Sequence, residues 1–220
     1  MQRLKRGVGL FIFLGLVGAQ ASAQDVPEEA RREIAHNLQG PFVVFREAAQ
    51  ADLKLTDEQK EKVEEHLRER LPDIMQFFQS LDGVKGEERE KKLQAFRQNA
   101  HEKLTSVLKA TLKEDQSKRL HQLGLQQEGA FALFHGEPKI AKGLKITVEQ
   151  RKKFMAVVQD LQKKVKPLIE EAQSGGNPEE IRPKVMKIRK EHERQIESLL
   201  TDTQKEQWKE MLGKPLVLDE

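Results

Sequence analysis

The side chains of this 220-residue chain that could do chemistry are few in kind. Cys and Tyr are both absent, which excludes disulfides, thiolate metal sites, iron–sulfur clusters and thiol nucleophiles together. A metal would have to be held by His and carboxylates alone. The six histidines, His36, His66, His101, His121, His135 and His192, stand apart in the chain, and no two are spaced four residues apart as paired ligands on one helix face would be. Glu191-His192-Glu193 is the densest potential ligand group. His192 aligns with Leu104 of an internal repeat, however, which favours a half-buried packing role, and no metal site is expected. The chain also lacks the Gly-x-Ser-x-Gly, His-Glu-x-x-His, Walker-type and Gly-x-Gly-x-x-Gly patterns. No carboxylate stands in the apolar context that would tune its pKa. The sequence reads as a protein that is not an enzyme and needs no cofactor.

One spacing does carry definite chemistry. Leu/Ile-Thr-x-x-Gln occurs as LTDEQ (Leu55, Thr56, Gln59), as ITVEQ (Ile146, Thr147, Gln150) and as LTDTQ (Leu200, Thr201, Gln204), with a degenerate LKEDQ (Leu112, Gln116). At a helix start the Thr hydroxyl accepts from the amide three residues on, and the Gln side chain reaches back to the Thr amide, so two orphan donors are satisfied together. The preceding Leu or Ile anchors the entering chain. In the degenerate copy Lys113 cannot cap in this way, and Thr111 with Glu114 is expected to form the box one residue earlier. The motif therefore predicts four helix starts.

The elements behind those starts are long and amphipathic. Val63, Leu67, Leu71, Ile74, Phe78 and Leu81 recur at steps of three and four, drawing one apolar stripe along a helix from Thr56. A turn at Asp82–Gly86 leads to a returning stripe of Leu93, Phe96, Ala100, Leu104, Val107 and Leu108. A second pair repeats the plan, with Phe154, Val158, Leu161, Val165, Leu168 and Ile169 outgoing and Ile181, Val185, Ile188 and Ile196 returning. Ser174-Gly175-Gly176 forms its turn, and Asn177 with Pro178 supplies an N-cap and a first-turn proline. Pro72 and Pro167 fall inside the outgoing helices and are expected to bend them. Strand alternation is missing. The expected fold is all-α, with two tandem helical hairpins and short connecting helices.

The pairing of these segments reflects an internal duplication. Gly40, Phe42 and Phe45 recur 89 residues later as Gly129, Phe131 and Phe134, positions 55, 56 and 59 recur 91 later, and Leu112 and Gln116 recur 88 later as Leu200 and Gln204. The implied organisation is a leader at 1–23, a first repeat at 24–128 and a second at 129–220.

The charge balance is settled by the leader. The whole chain has 39 basic and 36 acidic residues, an apparent pull toward acidic partners. Arg3, Lys5 and Arg6 precede an apolar run, Gly7–Gly18, and the small residues Ala21-Ser22-Ala23, which together form a secretory signal peptide cleaved after Ala23. Without those three cations the mature chain has 36 of each sign and no net charge. Its basic clusters, such as Lys184, Lys187, Arg189 and Lys190, are interleaved with acids and read as solvated helix faces. Nucleic-acid binding is not expected, and neither is stable membrane insertion after cleavage.

Paired LTxxQ motifs bracketing a helical hairpin, in an exported, charged chain without Cys or Tyr, resemble the Spy/CpxP family of bacterial periplasmic proteins. The resemblance spans Leu55–Gln116 and again Ile146–Gln204. It implies a bent helical hairpin, a cradle-shaped dimer and a periplasmic, ATP-independent chaperone-like protein for unfolded or stressed envelope proteins. Other readings within its reach are an envelope-stress or metal-responsive partner of a membrane-anchored sensor, and a structural helical scaffold without clients. The doubling departs from the family pattern: the chain is a monomeric pseudo-dimer or a homodimer. For client binding the candidate residues are Met75, Phe77, Phe78, Met155 and Met186, large or adaptable apolar side chains whose alternative role is to close the core.

Overall fold

The computed structural model describes residues 26–216 apart from 82, 85, 136 and 137; the expected signal peptide, Met1–Ala23, lies outside the described residues. All regular elements within them are helical: α1 (Glu28–Leu38), a 3-10 segment (Gly40–Phe45), α2 (Glu47–Asp52), α3 (Asp57–Ser80), α4 (Gly86–Thr111), α5 (Glu114–Glu128), a 3-10 turn (Gly129–Phe131), α6 (Ala132–His135), α7 (Pro138–Gly143), α8 (Val148–Gln173), α9 (Pro178–Ser198) and α10 (Asp202–Leu212). The protein is all-α. The chain divides into two compact units, the first made of 26–127 with 212–216, the second of 128–211.

In the first unit, α3 and α4 pack along one another. Their facing stripes bury Val63, Leu67 and Ile74 on α3 and Ala100, Leu104 and Leu108 on α4. At about 1.5 Å per residue the 24 residues of α3 run roughly 36 Å. The helix continues through Pro72, as α8 does through Pro167. Beside the hairpin, the 3-10 segment buries Phe42, Val43, Val44 and Phe45 against α1 and α2. Gly124 of α5 closes on this segment so tightly that a Cβ there would lie 3.1 Å from the Gly40 carbonyl oxygen. Gln126 holds the C-terminal tail, donating to the carbonyls of Leu212 (2.6 Å) and Lys214 (2.8 Å) and accepting from the Leu216 amide (3.0 Å).

The second unit pairs α8 with α9, with Phe154 and Val158 buried against Ile181 and Ile196. Asn177 caps α9 by accepting from the Glu179 amide at 3.1 Å. The Gly129–Phe131 turn lies on α9, where the Arg189 guanidinium stands 5.4 Å above the Phe131 ring and donates to the Glu128 carbonyl. One position departs from the expected stripe. Ile169 is 48% exposed, because it follows Leu168 by about 100° of helix rotation and that step carries it off the packed face.

Candidate functional site

The Leu/Ile-Thr-x-x-Gln motif is built as a junction between two helices. In the first copy α2 ends with Lys54 in the left-handed region, φ 51°. The Lys54 amide donates to Ala51 O (3.1 Å) and the Leu55 amide to Gln50 O (3.2 Å), the paired bonds of a Schellman cap. The second repeat matches it: Lys145 has φ 51°, its amide donates to Lys142 O and that of Ile146 to Ala141 O. Leu55 and Ile146 are therefore the apolar residues just beyond a helix C-terminus, and both are buried.

The next residue opens the following helix. The Gln59 amide donates to Thr56 Oγ1 at 3.2 Å while the Thr56 amide donates to Gln59 Oε1 at 3.1 Å. Thr147 with Gln150, and Thr201 with Gln204, form the same reciprocal box. In the degenerate copy the outcome differs from expectation. Thr111 is the last residue of α4 and Glu114 the first of α5, so no box forms between them. Gln116 instead keeps its half of the device at the original register, accepting from the Lys113 amide at 3.0 Å.

The four glutamines then meet in pairs. Gln59 Nε2 donates to Gln116 Oε1 at 2.8 Å and Gln116 Nε2 donates back to Gln59 Oε1 at 3.0 Å. Gln150 and Gln204 repeat this at 2.6 and 3.1 Å. Each amide has a second donor, and it goes to the chain entering the partner's motif: Gln59 to Thr111 O, Gln116 to Leu53 O, Gln150 to Leu199 O, Gln204 to Leu144 O. Two donors and two acceptor positions per side chain are thus filled, in side chains that are buried or nearly so. The capping role is legible in sequence. The pairing is the part that sequence reasoning missed, although the presence of two motifs per repeat was its signal.

His192 is fully buried between the helices of the second hairpin. Its Nδ1 lies 2.7 Å from Ile188 O and its Nε2 3.0 Å from Asp160 Oδ2. Both neighbours are acceptors, so the ring bonds both only with a hydrogen on each nitrogen. A hydrogen bond from Lys164, then the one from His192, holds the Asp160 carboxyl below its usual range. Nearby, burial pushes the Glu193 carboxyl up against the opposing charge of Arg189. Among the described residues no group of three or more His, Asp or Glu could hold a metal ion.

The five candidate binding residues fall into two sets. Phe77, Phe78 and Met75 are half-buried near the turn of the first hairpin. Phe77 stacks on Phe96 with centroids 3.9 Å apart and planes within 5°, and Phe78 meets Phe77 edge-on at 5.5 Å. Met155 and Met186 are 47% and 37% exposed, and the structure adds Val148 at 72% to Ile169 as further exposed apolar side chains. Val148, Met155 and Ile169 are separated by 7 and 14 residues, which sets them along one side of α8. That spacing was visible in the sequence.

No family model, no curated protein and no solved structure matches this chain. No described helix is long and apolar enough to cross a membrane.

Proposed function

We propose that the protein is an exported, ATP-independent binding protein that shields unfolded or stressed envelope proteins, as its resemblance to the LTxxQ proteins implies. The observation that carries this reading is the exposed apolar set of the second unit: Val148, Met155 and Ile169 on α8 and Met186 on α9. These side chains stand among solvated Lys, Arg and Glu residues. Methionine and branched aliphatic groups adapt to varied apolar segments, and the surrounding charges keep the free protein in solution. The locked glutamine pairs suit a surface that must hold its shape while occupants change.

The test is suppression of aggregation. The purified protein, at a few-fold excess and without nucleotide, is expected to reduce light scattering from a reduced, unfolding client. Scattering unchanged at such excess would refute the reading, and capture of one folded partner instead would place the protein among regulators.

A further inference from the structure

Cys and Tyr are absent, and the single tryptophan, Trp208, is buried. Oxidation chemistry therefore falls to methionine, whose thioether accepts an oxygen atom without prior deprotonation. Within the described residues Met75 and Met211 are half-buried, whereas Met155 and Met186 are 47% and 37% exposed. Met155 and Met186 sit on regular helices, α8 and α9, so an oxidant reaches them with the hairpin intact. They also make up half of the exposed large apolar side chains of the described chain, the others being Val148 and Ile169.

The structure assigns Met155 and Met186 as an oxidant-responsive modification site, whose conversion to sulfoxide removes apolar character from the exposed side of the second hairpin while leaving its fold in place. With hydrogen peroxide as oxidant, the thioether sulfur attacks one peroxide oxygen. An S–O bond forms as the O–O bond breaks, sulfur loses two electrons, and the other oxygen leaves as water after taking up the proton that the transferred oxygen gives up. The product is a polar, chiral group in place of a flexible apolar one, and methionine sulfoxide reductases reverse it. The meaning of the switch for client capture rests on the function proposed above, but its chemistry and its polarity change do not.

The experiment exposes the purified protein to dilute hydrogen peroxide and reads each methionine by peptide mass spectrometry, alongside helicity and retention of the folded protein on a phenyl column. Met155 and Met186 are expected to gain one oxygen at least about five-fold faster than Met75 and Met211. Retention falls, helicity stays, and reductase treatment restores retention; a Met155→Leu/Met186→Leu variant keeps its retention under peroxide. Equal rates at the four sites, unchanged retention with both sites oxidised, or helicity lost in step with oxidation would each overturn the assignment. Because retention is read without a client, failure of the aggregation assay would strike the proposed function and leave this result standing.

Discussion

Gln59 and Gln116, 57 residues apart, bond each other through both ends of their amides, and each carbonyl oxygen also receives the amide that starts its own helix. One side chain thus does the work of a cap and of a cross-link. Truncation removes both. Gln59→Ala leaves the Thr56 amide, the Thr111 carbonyl and one donor and one acceptor of Gln116 short of partners, at a cost of about 2–4 kcal/mol. Gln150→Ala has the same consequence in the second unit, where Trp208, the one tryptophan, reports unfolding in urea. A double-mutant cycle over Gln150 and Gln204 should return a coupling of at least about 1 kcal/mol; independent, additive losses would show that the pair is a geometric coincidence.

The left-handed lysines offer the opposite sign. Lys54 and Lys145 both hold φ 51°, where a side chain costs energy that glycine does not incur. The gain from Lys145→Gly is offset by the greater freedom of the unfolded chain, leaving a net stabilisation of about 0.5 kcal/mol. Urea midpoints of the variant and the parent check this, and a loss of stability would mean that the lysine side chain makes a contribution the backbone geometry conceals.

How far the sequence reaches can be judged from these residues. Thr56, Thr147 and Thr201 announce their caps because a helix start is a local event, governed by residues three apart. The Schellman caps at Lys54 and Lys145 are hidden, since lysine stands where glycine is the usual signal. The glutamine pairs join positions 57 and 54 residues apart, a distance no local pattern spans. Ile169 leaves the expected stripe for another reason: it stands about 100° around the helix from Leu168, and that step carries it off the packed face. His192 shows the same limit. Its inward position follows from alignment with Leu104, while its bond to Asp160 depends on the register of two helices.

Alignment of His192 with Leu104, both fully buried, makes a direct exchange possible. His192→Leu removes the bonds to Ile188 and Asp160 but fills similar volume with an apolar side chain, and replacing a buried polar partner in this way is often neutral or stabilising. The second hairpin should remain within about 1 kcal/mol of the parent. His192→Ala, which leaves a cavity, should cost roughly 2–4 kcal/mol. Thermal melts followed at Trp208 distinguish the two; equal and large losses would show that the imidazole is required for the helices to pair.

Glu193 gives the second unit an acid-side signature. Burial raises its carboxyl above the ordinary 4.5, with Arg189 opposing, so near that pH the folded state binds more protons than the unfolded one. Stability from this group is therefore present below 4.5 and declines as pH rises through the folded value. Glu58 and Asp160, both lowered by lysine partners, act in the other direction, so the comparison must be made between parent and Glu193→Gln. The variant should lose this downward component, seen as a smaller fall, or a larger rise, in melting temperature between pH 4 and pH 7. Parallel profiles would mean that Glu193 has no raised value in the folded protein.

Exposure separates the two candidate binding sets by experiment. Met155 and Ile169 are about half exposed, so Met155→Gln with Ile169→Gln removes apolar surface that the fold does not use, and stability should stay within about 0.5 kcal/mol per site. Phe77, by contrast, stacks on Phe96, so Phe77→Ala gives up packing area and an aromatic pair and should cost about 1–3 kcal/mol. If capture takes place on the second hairpin, the glutamine variant loses aggregation suppression at unchanged stability, whereas Phe77→Ala keeps suppression at reduced stability. The reverse pattern would move the binding surface to the aromatic cluster of the first hairpin and leave the exposed side of α8 without a role in capture.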